Sequence, residues 1–198
     1  METSWEQPEW LDDLIHAQNL GKERAFQLMM DAWHQPIYQF LRTMLGTHED
    51  AADATQETFI QVLRSVHRFR KEAKFSTWLY TIARRKGLDA LRSMKQRALR
   101  VTHHNAELWS NQFRADPYFN GDDAERQLHA ALQNLPERQR EVFALRYFQE
   151  LPYDDIARLM DTSVGAAKAN FFHAKNKVRS ALTSFDGLNL SLTETSQS

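Results

Sequence analysis

The sequence predicts an all-α protein of two small helical domains joined by a linker, the second containing a helix-turn-helix. Apolar residues recur every three or four positions through most of the chain, and only 6 glycines and 5 prolines interrupt its 198 residues. That periodicity fails over one long stretch, residues 97–123, where Asp116-Pro117 and Asn120-Gly121 are turn signals. A hydrophobic content of 42% suffices for one large core or two small ones, and the motif layout favours two. The boundaries read as a first domain over residues 9–96, a linker over 97–123, a second domain over 124–185 and a disordered Ser/Thr-rich tail over 186–198.

The first domain opens after an acidic leader, with a helix starting at Pro8-Glu9 and carrying Trp10, Leu11, Leu14 and Ile15 on one face. After Gly21, the residues Phe26, Met29, Met30, Trp33, Ile37, Phe40, Leu41 and Met44 hold helical spacing, with a bend expected at Pro36. Gly46 stops this helix, and Thr47-His48-Glu49-Asp50 forms a capping box for the next. That helix runs to about His67 and buries Ala51, Phe59, Val62, Leu63 and Val66. A loop over residues 70–75 leads to a basic helix, capped by Ser76, that continues to about Lys95. The linker holds Leu108, Trp109, Phe113, Tyr118 and Phe119, too much apolar bulk for a purely solvated segment, so it is expected to dock.

The second domain begins with Leu128, Ala131, Leu132 and Leu135, then Pro136 at the first turn of a helix bearing Val142, Phe143, Leu145 and Phe148. A short helix around residues 153–160, a tight Asp161-Thr162-Ser163 connection and a longer helix capped by Ser163 follow. In the last helix Val164, Ala167, Phe171, Ala174, Val178 and Leu182 face inward, while Ala166, Lys168, Asn170, Phe172, His173, Lys175, Lys177 and Arg179 face outward. This is the layout of a helix-turn-helix entering a major groove; periodicity alone also admits an ordinary helical hairpin.

Composition excludes several classes. The absence of cysteine removes disulfides, thiolate metal sites and a cysteine nucleophile. Residues 1–20 lack the basic and apolar regions of a signal peptide, and no run of 18 apolar residues suggests a membrane span. Neither a phosphate-binding glycine loop nor a nucleophile motif is present, so the chain is expected not to be an enzyme and to need no cofactor. The eight histidines, His103-His104 included, show no ligand spacing.

Charge is partitioned even though the net is only −1. Residues 1–63 carry eleven acidic against three basic side chains, and residues 64–100 carry twelve basic against two acidic, which suggests two partner surfaces of opposite sign. On the acidic side Asp50, Asp53, Gln56 and Glu57 share one helix face at spacings of three and four. They read as a docking face, a solvated surface, or a divalent-metal site using Asp53 and Glu57; for the last no third ligand has suitable local spacing. A nuclease using Asp50, Asp53 and Glu57 would be the enzymatic alternative. On the basic side Phe75, Trp78 and Tyr80 interleave with Lys71, Lys74, Arg84, Arg85, Lys86 and Arg92. Single-stranded nucleic acid suits such a surface, because bases stack on aromatic rings for roughly 1–3 kcal/mol each while cations track phosphates. Trp78, Leu79, Ile82 and Ala83 also hold helical spacing, so some of these residues are core.

Three collinear blocks resemble the extracytoplasmic function (ECF) group of bacterial sigma factors. Asp50-Ala-Ala-Asp53-Ala-Thr-Gln56-Glu57-Thr-Phe59 is similar to the family's D-A-E-D-L-V-Q-E-T-F, and Phe75-Ser-Thr-Trp78-Leu-Tyr-Thr-Ile82-Ala83-Arg84 to F-R-T-W-L-Y-R-I-A-R. The third block joins Leu135-Pro-Glu-Arg-Gln-Arg-Glu-Val-Phe-Ala-Leu-Arg146 to Tyr153-Asp-Asp-Ile156-Ala157 and Ser163-Val-Gly165-Ala-Ala-Lys168. It resembles L-P-x-R-Q-R-E-V-F-x-L-R, Y-E-E-I-A and S-V-G-T-V-K, and the likeness extends over residues 14–182.

The resemblance implies a cytoplasmic, non-catalytic transcription initiation factor whose partners are core RNA polymerase (β′ clamp and β flap), promoter DNA and an anti-sigma factor. Asp50, Asp53, Gln56 and Glu57 would then bind core polymerase. Lys71, Lys74, Phe75, Trp78, Tyr80, Arg84, Arg85 and Arg92 would read and melt the −10 element, capturing a flipped base. Ser163, Ala166, Lys168, Asn170, His173, Lys175 and Lys177 would read the −35 element. Arg85 stands where the family usually has Asn, and Arg cannot accept a hydrogen bond, so an altered −10 preference is expected. Asn170 stands where Arg is common and can pair with adenine, so an adenine is expected near its −35 contact. Phe172 reads as a thymine-methyl contact or as a lid over the next helix. A polymerase-independent helix-turn-helix repressor is the competing function; it leaves the acidic face and the aromatic-basic stretch unused.

Overall fold

The computed structural model describes residues 8–16, 20–101 and 123–183, so the leader, the aromatic linker residues and the tail lie outside the described residues. Everything described is helix or short connection, with no strand among the described residues.

The first domain is built from α1 (Leu11–His16), α2 (Leu20–Leu45), α3 (His48–Ser65), a 3-10 turn (Val66–Arg68) and α4 (Phe75–Val101). Helix α1 buries Leu11 and Leu14 completely and sets Trp10 edge-on to Phe75 at 5.2 Å. Pro36 lies inside α2 without ending it. The α2 to α3 corner is fixed by two local devices that the sequence announces. Gly46 takes φ 84°, a left-handed conformation that glycine adopts without a Cβ clash. Thr47 then caps α3, its hydroxyl accepting from the Asp50 amide at 3.3 Å and donating to the Asp50 carboxylate at 2.6 Å.

Helix α4 departs from expectation at both ends. It starts at Phe75, so Ser76 lies inside the first turn, and its buried hydroxyl, instead of capping the helix, has no hydrogen-bond partner among the described residues. At the other end it continues through Val101, since no glycine or proline lies between Gly87 and Val101 to stop it. Gly87 lets α2 and α4 pass closely: a Cβ there would come within 3.0 Å of Leu41 Cδ2 and Met44 Cε.

The second domain comprises α5 (Asp123–Gln133), α6 (Glu137–Phe143) with a π-helical extension (Ala144–Phe148), α7 (Tyr153–Met160) and α8 (Val164–Thr183). Asp161, at φ 50°, makes the left-handed turn that ends α7, and Ser163 caps α8 by accepting from the Ala166 amide at 3.1 Å. Ala131, Leu132, Leu135, Phe143, Ala174, Val178 and Leu182 form this domain's own core.

The two domains are packed against each other. Val142, Leu145, Leu151, Ile156, Leu159 and Met160 of the second domain belong to one contiguous buried cluster with Leu14, Phe40, Leu41, Phe59 and Leu79 of the first. Helix α2 meets α5, α6 and the π-helical extension, and α4 meets α7.

Candidate nucleic-acid interface

The acidic face of α3 stands as the spacing predicts, but its carboxylates are not equivalent. Asp50 accepts from the hydroxyl of the Thr47 cap and pairs with Arg97 at 2.7 Å, Glu57 pairs with Lys86 at 3.0 Å, and Asp53 is exposed without an ion pair among the described residues. Gln56 borders an apolar groove of about 630 Å³ between α2 and α3, lined also by Phe26, Met30, Phe59, Ile60 and Leu63. His34 stacks on Phe59 within it, and the Tyr38 hydroxyl shares a 2.7 Å hydrogen bond with His48 Nδ1 at its edge. The groove was not visible in the sequence, where Phe26 and Met30 belong to a stripe indistinguishable from core. No group of three or more candidate metal ligands occurs among the described residues.

The aromatic-basic stretch divides sharply. Phe75 and Tyr80 are only 2% and 1% exposed, which corrects their reading as stacking platforms in this conformation. The physical reason is that α4 has neighbours on more than one side: Phe75 is ringed by Trp10, Trp33, Phe69 and Trp78, and Tyr80 by Trp33 and Phe40. Burial pushes the Tyr80 phenol far above its ordinary pKa, and its hydroxyl donates to Gln149 Oε1 in the second domain. Trp78 is half-buried, leaning on Phe69 at 5.1 Å between centroids.

The cations fall into two sets. Lys71, Arg85 and Arg92 are exposed; Lys71 pairs with Asp12, whose carboxyl the hydrogen bond from Lys71 holds below its usual range, and Arg92 pairs with Asp89 at 2.9 Å. Lys74 and Arg84 instead reach the second domain. Lys74 meets Asp155 at 3.3 Å, and Arg84 donates from both Nε and Nη2 to the Glu141 carboxylate. Glu141 is 4% exposed, and burial raises its pKa while Arg84 acts in the opposite direction.

On α8 the predicted inward stripe is observed, with Ala167, Ala174, Val178 and Leu182 buried. Outward, Lys168 lies 5.7 Å from the centroid of the Tyr153 ring, Lys177 donates to Gln139 at 3.0 Å, His173 is exposed and Lys175 half-buried. Ser163 is spent on capping, and Ala166 is half-buried beside it. The Asn170 amide donates to the Ala166 carbonyl at 2.9 Å. Phe172 is 61% exposed, so it is no lid in this conformation. The arrangement of α7, a left-handed turn and a capped α8 with cationic outward residues has the form of a helix-turn-helix that presents its second helix to a groove.

Comparison with known proteins accounts for both domains. The model of Sigma-70 region 2 matches residues 29–98, and that of Sigma-70, region 4 matches residues 125–178. The chain is similar to the ECF RNA polymerase sigma factor SigX of Bacillus subtilis, at 32% identity over 152 residues, covering 74% of this chain and 77% of that one. It is also similar to the RNA polymerase sigma-H factor of Pseudomonas aeruginosa, at 29% identity over 177 residues, covering 85% and 92%. In fold it is similar to the sigma factor RpoE solved in complex with the anti-sigma factor NepR from Bartonella quintana, with a TM-score of 0.64 at 21% identity, covering 83% and 99%. With both Sigma-70 regions matched in order and SigX 32% identical over 74% of this chain, the chain belongs to the ECF RNA polymerase sigma factors.

Proposed function

We propose that this sigma factor divides its work among three surfaces. The α2–α3 face, with Asp50, Asp53, Gln56, Glu57 and the adjoining apolar groove, binds the β′ clamp of core RNA polymerase, and the second domain meets the β flap. The α4 region, with Lys71, Lys74, Trp78, Arg84, Arg85 and Arg92, captures the melted non-template strand of the −10 element. Helix α8, with Lys168, Asn170, His173, Lys175 and Lys177, lies in the major groove of the −35 element.

The observation that carries this reading is the groove of about 630 Å³ beside exposed acidic side chains. A sequence-specific repressor needs only α7 and α8, and nothing in such a role uses an apolar groove between α2 and α3 that adjoins the acidic face through Ala52 and Gln56. Sigma factors are not enzymes, and this division assigns no residue a catalytic role. A relative of the same fold is held by an anti-sigma factor, and we extend such a partner to this chain, with the α2–α3 groove as part of its footprint. No helix of the described residues is long and apolar enough to cross a membrane, and we place the protein with the polymerase in the cytoplasm.

Run-off transcription with core polymerase on a fragmented library of the host genome tests the proposal. Discrete start sites that appear only with this chain, and vanish when Asp53 and Gln56 are replaced by Ala with Phe59 left in place, are the expected result. A chain that fails to bind core polymerase refutes it.

A further inference from the structure

Phe69 and Phe75 bracket the polar run Arg70-Lys71-Glu72-Ala73-Lys74, which forms the loop in front of α4. Both phenylalanines are buried, and their rings lie 5.9 Å apart between centroids, so the ends of the loop are pinned together while residues 70–73 stand exposed. At the tip of this loop Lys71 takes φ 57°, the left-handed region that suits glycine and that a side chain disfavours. Asp161 has a similar φ because it makes the turn that ends α7, but Lys71 ends no helix. A conformation of this kind persists only where the surroundings over-determine it, and it is concentrated at sites that clamp a ligand.

The Lys71 side chain is held from a distant part of the chain. Its Nζ donates to Asp12 Oδ1, 59 positions away on α1. Helix α1 is a firm support: Leu11 and Leu14 are buried, Trp10 meets Phe75 edge-on at 5.2 Å, and the helix packs on the 3-10 turn that precedes the loop. The pair itself is open to a ligand, with the Lys71 and Asp12 side chains 40% and 65% exposed. An exposed ion pair contributes little to folding, but it does fix where the ammonium sits. Asp12 takes one of the three ammonium N–H donors, which leaves two for a phosphate or a base edge. A lysine placed in advance also loses less side-chain freedom on binding than one that is free to move.

We propose that Asp12 is a positioning residue for −10 recognition, holding the Lys71 ammonium at the tip of the loop that meets the melted non-template strand. Helix α1 is thereby part of the −10 site, although its own charges, Asp12 and Asp13, have the sign of DNA. The inference deepens the proposed function and rests on it, since Lys71 meets the strand only if the α4 region captures it.

The test uses holoenzyme assembled from core polymerase and the full chain, titrated with a labelled oligonucleotide that carries the non-template −10 sequence of a start site mapped by run-off transcription. Lys71→Gly suits the left-handed backbone and removes the ammonium; it is expected to weaken binding about fivefold and to lower the salt slope by about one unit. Asp12→Asn leaves Lys71 unheld and is expected to weaken binding about threefold. In the Lys71→Gly background it should have no further effect, because it acts only through that side chain. Asp12→Glu is expected to recover most of the loss. The exchange of Asp12→Lys with Lys71→Asp rebuilds an ion pair with its charges reversed. A pair that only braced the loop is rescued by the exchange, whereas a positioned ammonium is not, so binding is expected to stay weak. Full recovery in the exchange overturns the inference. So does an Asp12→Asn variant that binds as tightly as wild type or more tightly, or one that loses as much affinity in the Lys71→Gly background as alone. Wild-type holoenzyme that prefers the −10 oligonucleotide no more than a scrambled one overturns the proposed function and the inference with it. A preference that neither single variant alters overturns the inference alone.

Discussion

Helices α4 and α8 carry the same sequence signature, cations and aromatics interleaved at helical spacing, yet the structure treats them in opposite ways. On α8 the inward and outward stripes separate cleanly, with Ala167, Ala174 and Val178 inside and Lys168, Phe172 and His173 outside. On α4 the aromatic partners of the cations are core: Phe75 and Tyr80 are enclosed by rings from other helices, and Arg84 is drawn to Glu141. The difference is where the neighbours lie, not how many there are. Helix α8 meets α5, α6 and α7, all of its own domain, and keeps an exposed outer face, whereas α4 meets α2 and α3 of the first domain and α7 of the second. A helical period reports which residues share a face but says nothing about how many faces are covered.

The aromatic pair Phe75 and Phe172 gives the widest test of this contrast. Phe75→Ala is expected to cost about 3–5 kcal/mol of folding stability, whereas Phe172→Ala should stay within about 0.5 kcal/mol, both read by urea denaturation. Similar losses for the two would break the comparison.

Next in size is Arg84→Ala, which leaves a buried carboxylate without its hydrogen-bonding cation and is expected to cost about 3 kcal/mol at neutral pH. Burial already raises the pKa of Glu141 above 4.5, so its neutral form is the one that the fold favours. Its contribution to stability is therefore complete below the ordinary carboxylate pKa and is lost as pH rises through the raised value. The Arg84→Ala deficit should accordingly shrink as pH falls towards 4.5, and Glu141→Gln should flatten the pH profile. A deficit that does not vary with pH would mean that Glu141 is not the ionised partner.

A smaller effect belongs to α8. Lys168→Ala and Lys177→Ala should leave the melting temperature almost unchanged, while each lowers the salt dependence of promoter binding by the holoenzyme by about one unit of slope. Loss of thermal stability without a change in slope would class these lysines with Arg84.

The subtlest effect is that of Arg85, exposed on α4 and free to meet DNA without opening the core. Selection of −10 sequences by the Arg85→Asn variant should return a different preferred base, and an identical preference would reduce Arg85 to a phosphate contact.

Local chemistry accounts for what was legible in the sequence. The left-handed Gly46, the Thr47 cap and the Ser163 cap are each set by residues within three positions, and all three stand as read. The inward stripe of α8 is equally local. What escaped depends on residues far apart in the chain. Arg84 and Glu141 are 57 positions apart, and nothing in either neighbourhood announces the pair. Phe26 and Met30 have core spacing but line a groove, because α3 leaves that part of α2 uncovered. Ser76 does not cap because α4 begins at Phe75, two residues earlier than a cap at Ser76 implies, which turns a potential cap into a buried hydroxyl with no partner among the described residues.

The contiguous cluster that runs from Leu14 through Phe40 to Ile156 and Met160 also sets how the free protein comes apart. Two domains with separate interiors melt in two steps, each with its own heat and its own denaturant sensitivity. Domains that share an interior lose it together, so the free chain has one cooperative transition whose denaturant slope reflects the surface of both halves. Calorimetry of the isolated chain therefore reads the seam as a single endotherm.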